Sequence, residues 1–356
     1  MRIFRSVLFA PGDDRKKAGK AFTAGADAVV LDLEDAVAPG KKEAARQTVR
    51  EVLAGAAAGS PPGSPDRSRA GGGTPSPGTS ASPAGGAPEG EPEILDGSPA
   101  EGPFRSGGRD PDGGPSKGQG RVPVFVRVNA VSSPYILKDL EAVVDLPIEG
   151  IMLAKAESGE EVRRADWLLG LLEREKGIAP GRLVIIPFVE SARGIEQAAE
   201  IAGACARVWC LAFGGNDYTM DIGTTYSPEG TEQFYARCRL VAASRLAGIA
   251  PPLDTVNPDF RNIPALVEEV KRVKQLGFQG KLVIHPAQVG PVNEVFTPSP
   301  AEAEWAKKVV AAFAQAQAAG AGVIQLEGRM VELPVVRRAQ QILALTEAVR
   351  VRPTQD

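Results

Sequence analysis

The stretch AVVLDLEDAV, Ala28 to Val37, decides the reading of this chain. An apolar run, half of it β-branched, leads into Asp32, and Glu34 and Asp35 follow at once. Such a run reads as a strand buried on both faces. Carboxylates cost free energy when taken out of water unless they are paired. A buried strand that finishes in three acids therefore needs an architecture that collects strand ends around one polar place.

Seven further runs have the same character: Ser6–Gly12, Val122–Asn129, Gly150–Ser158, Arg182–Ser191, Arg207–Asp217, Gly248–Val256 and Lys281–Pro286. Between them lie amphipathic stretches such as KKEAARQTVREVL, EEVRRADWLLGLLEREKG and TEQFYARCRLVAASRLAG, the last two closing on glycine as helices often do. Eight β–α units predict a (β/α)8 barrel, the TIM barrel of the α/β class. A doubly wound sheet would usually carry a Gly-rich phosphate fingerprint after an early strand, and neither GxGxxG nor a Walker A motif occurs.

The barrel is expected over residues 1–300, interrupted at 56–120 by a segment of Gly, Pro, Ser and Ala that cannot bury enough apolar surface to offset its ordering entropy. That segment is expected to be a disordered insertion between the second helix and the third strand, on the face away from the strand C-termini. Residues 301–356 hold two helical patterns, Ala301–Gln317 and Val335–Val349, joined by the Gly-containing AAGAGVIQLEGRMVELP. They predict a C-terminal helical lid or subunit contact.

Composition excludes several classes. A net charge of −3 provides no basic field for nucleic acid or an anionic membrane. The apolar run near the start is too short for a secretory signal, and no run approaches a membrane span, so a cytoplasmic location is expected. Three cysteines without CxxC spacing read as reduced thiols. The lone histidine, His285, rules out multi-histidine metal sites, so any metal is held mainly by oxygen, which favours Mg2+ or Mn2+.

Active sites of TIM barrels lie at the C-terminal ends of the strands. Those ends carry Asp32/Glu34/Asp35, Arg127, Lys155, Glu190, Asn216/Asp217, Asp254 and His285. Glu190 and Asp217, on adjacent strand ends, suit a pair of Mg2+ ligands, since Mg2+ takes one or two protein carboxylates and keeps waters. Arg127 suits a substrate carboxylate or developing oxyanion. Glu34 and Asp35 suit supporting positions beside the metal or the arginine. Lys155 reads equally as a structural ion pair or a site contact. Asp254 reads either as a mouth residue or as a structural one, capping a loop. Arg15 and Lys20, in the basic cluster that opens the first helix, could meet a ligand phosphate.

The segments RSVLFAPGDDRKKAGKA, DAVVLDLEDAVAPGKKEAAR, VRVNA, PFVESARGI, FGGNDYT, YSPEGTEQFYARCRLVAASR, GFQGKLVIHPAQV and GRMVELPVVRRAQ resemble the citrate lyase β-subunit family of the HpcH/HpaI aldolase superfamily, which includes malyl-CoA and citramalyl-CoA lyases. The likeness runs in order over nearly the whole chain outside the insertion. It implies a Mg2+-dependent TIM-barrel lyase that cleaves a 3-hydroxy-3-carboxyacyl thioester, a CoA thioester in the first instance, to an acetyl thioester and a 2-oxo acid. It further implies Glu190 and Asp217 as metal ligands, Arg127 on the oxo-acid oxygens, Glu34 and Asp35 in support, and His285 with Pro286 shaping the thioester channel. A homo-oligomer, trimer or hexamer, is implied, in which a lid carboxylate serves the neighbour's site. The citrate lyase reading adds an acyl-carrier protein and partner subunits. Two departures stand out: Glu332 occupies the lid position where the family usually has aspartate, and Ala154 the place where proline is common.

Overall fold

Every residue of the Ala28–Asp32 run is buried, as a strand covered on both faces requires. The computed structural model describes residues 3–57, 122–318 and 322–350. It contains eight barrel strands: β1 (Ser6–Pro11), β2 (Ala28–Asp32), β3 (Val124–Val128), β4 (Gly150–Leu153), β5 (Val184–Val189), β6 (Ala212–Phe213), β7 (Leu253–Asp254) and β8 (Gly280–Val283). Each pairs parallel with the next, and β8 pairs with β1 to close the barrel. All eight coincide with the runs read from the sequence.

The helices are α1 (Arg15–Ala21), α2 (Lys42–Ala57), α3 (Ile136–Val143), α4 (Gly159–Glu175), α5 (Ala192–Glu196), α6 (Ala198–Ala202), α7 (Gly215–Asp221), α8 (Phe234–Ala247), α9 (Ile263–Leu276), α10 (Pro286–Phe296), α11 (Pro300–Ala318) and α12 (Leu333–Arg350). Local chemistry starts several of them. Asp14, Ser158, Ser191 and Asn262 each accept a hydrogen bond from a backbone N–H of the first turn, and Gly248 and Gly277 close α8 and α9 in the left-handed conformation. The expected Gly/Pro/Ser-rich insertion lies outside the described residues, except that α2 continues through Ala57.

Strand periodicity divides the core in two. Val7, Ala28, Val30, Phe125, Met152, Ile186, Phe188, Ala212, Leu253 and Leu282 fill the barrel interior, while Val29, Leu31, Val124, Val126, Ile151, Ile185 and Val283 face the helices. Phe4, Phe125 and Trp209 pack edge-on and stacked inside the barrel, with ring centroids 5.0–6.4 Å apart. The same period of two aims Asp32, Arg127 and Glu190 inward beyond this packed core.

That period overturns the mouth reading of Asp254. Leu253 points inward, so Asp254 points outward, and it caps no loop. It is fully buried between the barrel and its helices, where Arg237 Nε donates at 2.8 Å and Lys281 Nζ at 2.6 Å. Glu269 accepts from the same two cations, completing a buried quartet. Burial pushes the Asp254 carboxyl up, but Arg237 and Lys281 outweigh it and hold the group below the ordinary carboxylate range. Asp254→Ala leaves two cations facing one anion and is expected to cost about 3–5 kcal/mol in urea unfolding. Because the native value is depressed, Asp254 stabilises the fold above pH ~4, and that contribution is lost as pH falls through the native value.

The C-terminal segment packs largely on itself. Ala306, Val309 and Phe313 of α11 meet Val331, Val336 and Ala339 in a separate small core. The Gly-containing connection holds an antiparallel hairpin, β9 (Ile324–Leu326) with β10 (Arg329–Val331). Glu327 and Gly328 make the turn, both with positive φ (50° and 78°), the backbone of a tight hairpin connection.

Candidate active site

The acids that end β2 meet two cations. Register places Asp32 opposite Arg127, and the guanidinium grips it with Nε at 2.7 Å and Nη2 at 2.6 Å. Both partners are buried, and the bidentate geometry is the one in which an arginine fork is strongest. The guanidinium carbon lies 5.4 Å from the Phe9 ring centre and 5.6 Å from that of Phe188, between the two aromatics. Its third nitrogen, Nη1, makes longer contacts, 3.2 Å to Glu34 and 3.3 Å to Asp35.

Lys155 answers the other two acids. Its ammonium is 2.5 Å from Glu34 and 3.2 Å from Asp35. Lys155 is thus an ion pair and a site neighbour at once. Burial, with help from Asp35, leaves the Glu34 carboxyl above its ordinary value despite Arg127 and Lys155. Asp35 is held below its ordinary value: burial raises it, but Glu34's hydrogen bond and the two cations outweigh that.

A second lysine, this one buried, holds the acidic turn from beneath. Lys42 Nζ donates to the carbonyls of Leu33 and Glu34, both at 2.7 Å, and to Asn129 Oδ1 at 3.0 Å. Asn129 in turn donates to Asp139, which also accepts from Arg46. Sequence reasoning missed Lys42, because a lysine in KKEAAR at a helix start reads as a solvated face. Only the fold shows that its side chain turns inward.

Glu190 follows β5 and is buried; Asp217 lies in the first turn of α7, not at the end of β6 as expected. Both carboxylates line the same cavity. Burial first, then the Asp217 charge, push Glu190 well above the ordinary value. Two acids crowded in this way concentrate negative charge that a hard cation would relieve. Among the described residues no third His, Cys or carboxylate completes a larger metal cluster, and the donor set suits Mg2+, which keeps several waters. Gly214 is required here, since a Cβ on it would lie 2.3 Å from the Glu190 Cβ. The turn is anchored by Gly215 N–H donating to Thr255 Oγ1 at 2.8 Å.

These groups border one cavity of about 430 Å³, lined by Phe9, Pro11, Asp32, Asp35, Arg127, Phe188, Glu190, Asn216, Asp217, Thr255, Val256 and Ile284 among others. Of the predicted site residues, Arg127, Asp35, Glu190 and Asp217 line it, and Glu34 stands immediately behind through Arg127 and Lys155. Thr255, next to Asp254 and on the opposite side of the strand, takes the mouth position that Asp254 does not. His285 is exposed at the start of α10, where its Nδ1 accepts from Ala287 N–H and its ring stacks on Phe260 at 4.7 Å. Pro286 is the first residue of that helix. Neither lines the cavity, although Ile284 just before them does. Arg15 and Lys20 are exposed on α1, Arg15 facing Glu51 at 3.5 Å, away from the lining. Glu332 is exposed at the start of α12 and does not reach the cavity of its own chain.

Sequence and structure comparisons give the chain its relatives. The chain is 31% identical to the citrate lyase subunit beta of Escherichia coli K12 over 351 residues, 99% of this chain and 96% of that protein. It is 30% identical to the mitochondrial citramalyl-CoA lyase of Homo sapiens, over 97% of this chain and 86% of that one. The CitE protein of Mycobacterium tuberculosis, solved in complex with magnesium, acetoacetate and coenzyme A, superposes with a TM-score of 0.65 at 26% identity, over 96% of this chain and 97% of CitE. Fold and site together define a carbon–carbon bond lyase of the TIM-barrel fold, the description matched by residues 235–351. Residues 5–64 and 117–286 match HpcH/HpaI aldolase/citrate lyase, and the chain belongs to that family.

Proposed function

We propose that the protein is a Mg2+-dependent lyase that cleaves a 3-hydroxy-3-carboxyacyl-CoA of the citramalyl or malyl type to acetyl-CoA and a 2-oxo acid. The single observation that carries this reading is the Glu190–Asp217 carboxylate pair facing Arg127 across one cavity. Glu190 and Asp217 would hold the ion, with Mn2+ an acceptable substitute. When bound it acts as a Lewis acid on the substrate oxygens, an effect worth several kcal/mol.

The protein's own groups do the rest. Asp32 occupies two nitrogens of Arg127, so Nη1, held by the longer contacts, is the donor for which a substrate oxygen can compete. Asp35, ionised and bordering the cavity, takes the proton of the 3-hydroxyl. The C2–C3 bond then breaks, its electron pair passes to the thioester enolate, and the hydroxyl carbon becomes the carbonyl of the 2-oxo acid. The enolate carbon needs a proton, and a positioned carboxylic acid supplies such a step with a gain of ~10²–10⁴-fold. Glu332 of a neighbouring copy fills that role in a homo-oligomer, trimer or hexamer, since it is exposed and remote from its own cavity. His285 and Pro286 would border the thioester arm, with Arg15 and Lys20 near the CoA phosphates.

No helix among the described residues is long and apolar enough to cross a membrane; we place the enzyme in the cytoplasm. Residues 1–300 would form the catalytic barrel and 301–356 the lid and subunit contact. Because α2 ends and β3 begins at the barrel end opposite the cavity, replacing residues 58–121 by a short Gly/Ser linker is expected to leave turnover within about twofold. Steady-state kinetics of the two forms would check this.

The test is turnover of citramalyl-CoA, malyl-CoA and citryl-CoA by the purified protein, with Mg2+ or with EDTA, following released 2-oxo acid by a coupled dehydrogenase. Mg2+-dependent release from one of them identifies the substrate. Activity only on a citryl thioester of an acyl-carrier protein with partner subunits would make the chain a citrate lyase β-subunit, a reading favoured by the 31% identity to the E. coli protein. Metal binding with no turnover on any of these would make it a non-catalytic member.

A further inference from the structure

Lys155 has a backbone that lysine rarely adopts. Its φ is 51°, in the left-handed region, where a Cβ crowds the following carbonyl. Such strain persists only where surrounding structure over-determines it, and it gathers at functional sites. Here the consequence is concrete. The left-handed turn directs the Lys155 backbone N–H onto Glu190 Oε1 at 2.8 Å, while the side chain of the same residue reaches Glu34 at 2.5 Å and Asp35 at 3.2 Å.

Resting on the reading of Glu190 as a metal ligand, we propose that Lys155 is a positioning residue that couples the Glu34/Asp35 pair to the metal ligand Glu190. Its N–H holds one oxygen of Glu190 and so orients the carboxylate. Its ammonium balances the charge of Glu34 and Asp35, which leaves Nη1 of Arg127 only lightly engaged by them. Without that ammonium, the acid pair draws Arg127 more tightly and adds uncompensated negative charge beside the metal position. Metal affinity and turnover should therefore move in opposite directions, which removal of an ordinary surface ion pair would not produce.

The test is isothermal titration with Mg2+ alone, together with steady-state kinetics, on the full chain and on Lys155→Met, Lys155→Gly and Lys155→Arg. Methionine removes the ammonium and keeps the strain. Glycine removes both, yet retains the N–H and favours the left-handed backbone, so it remains informative if the methionine variant folds poorly. Both are expected to bind Mg2+ at least about fivefold tighter and to lose at least about tenfold in kcat, with KM changed less. Lys155→Arg is expected to restore Mg2+ affinity to within about twofold of the parent. Unchanged or weaker Mg2+ binding in both Met and Gly variants would overturn the proposal, as would full turnover in either. Asp217→Ala serves as the control: if it binds Mg2+ like the parent, the metal assignment fails on its own, independently of Lys155.

Discussion

Asp217→Ala is expected to lower Mg2+-dependent turnover by at least about 10³-fold while leaving the fold intact. In the proposed metal site the carboxylates offered to a cation are those of Glu190 and Asp217, and Glu190 is the more deeply buried. Removing Asp217 halves the charge that the ion would meet. It also removes the Lewis-acid contribution, for which several kcal/mol is a typical figure and each 1.4 kcal/mol is a factor of ten. Stability should change little, because Asp217 is only half-buried and sits in the first turn of an eight-strand barrel's peripheral helix. Calorimetric Mg2+ titration and urea unfolding separate the two effects. Retained Mg2+ binding and full activity would remove Asp217 from the metal site.

The second large effect concerns Arg127. Arg127→Met is expected to cost about 3–5 kcal/mol of stability, because it strands Asp32 in a buried position with no counter-ion. Its turnover should fall below detection, since in the proposed reaction the same residue would offer the donor to the substrate. Arg127→Lys keeps the charge but cannot reproduce the two parallel bonds to Asp32, so it should recover part of the stability and little of the activity. The double variant Asp32→Asn, Arg127→Met should regain stability over Arg127→Met alone, because no bare charge is left behind, and remain inactive. Urea unfolding beside kinetics distinguishes these outcomes. Equal stability of the single and double variants would show that Asp32 does not depend on Arg127.

Much of this arrangement was legible before any coordinates. Apolar β-branched runs alternating with amphipathic stretches carry their own periodicity, and eight of them in succession leave few architectures open. Period two along β2, β3 and β5 would also have placed Asp32, Arg127 and Glu190 inside the barrel from Val30, Phe125 and Phe188. Applied to β7, the same rule would have turned Asp254 outward, since Leu253 is the inward residue. The two-residue length of that strand hid the phase. The hairpin at Glu327–Gly328 escaped for a related reason: its strands are three residues each, too short for alternation to stand out, and Glu-Gly is a weak turn signal beside Asn-Gly.

What the sequence by itself determined is the barrel and most of the charged groups that gather at one end of it, because burial and strand phase are local properties of the chain. The tertiary structure alone decided how those charges are partnered. Asp32 could have met any cation, Lys42 could have faced solvent, Lys155 could have reached no acid, and Asp217 could have ended a strand. Pairing depends on which elements lie side by side after closure, over separations such as the 95 residues between Asp32 and Arg127 or the 121 between Glu34 and Lys155. No local pattern encodes a contact across that distance; it follows from the register in which the barrel closes.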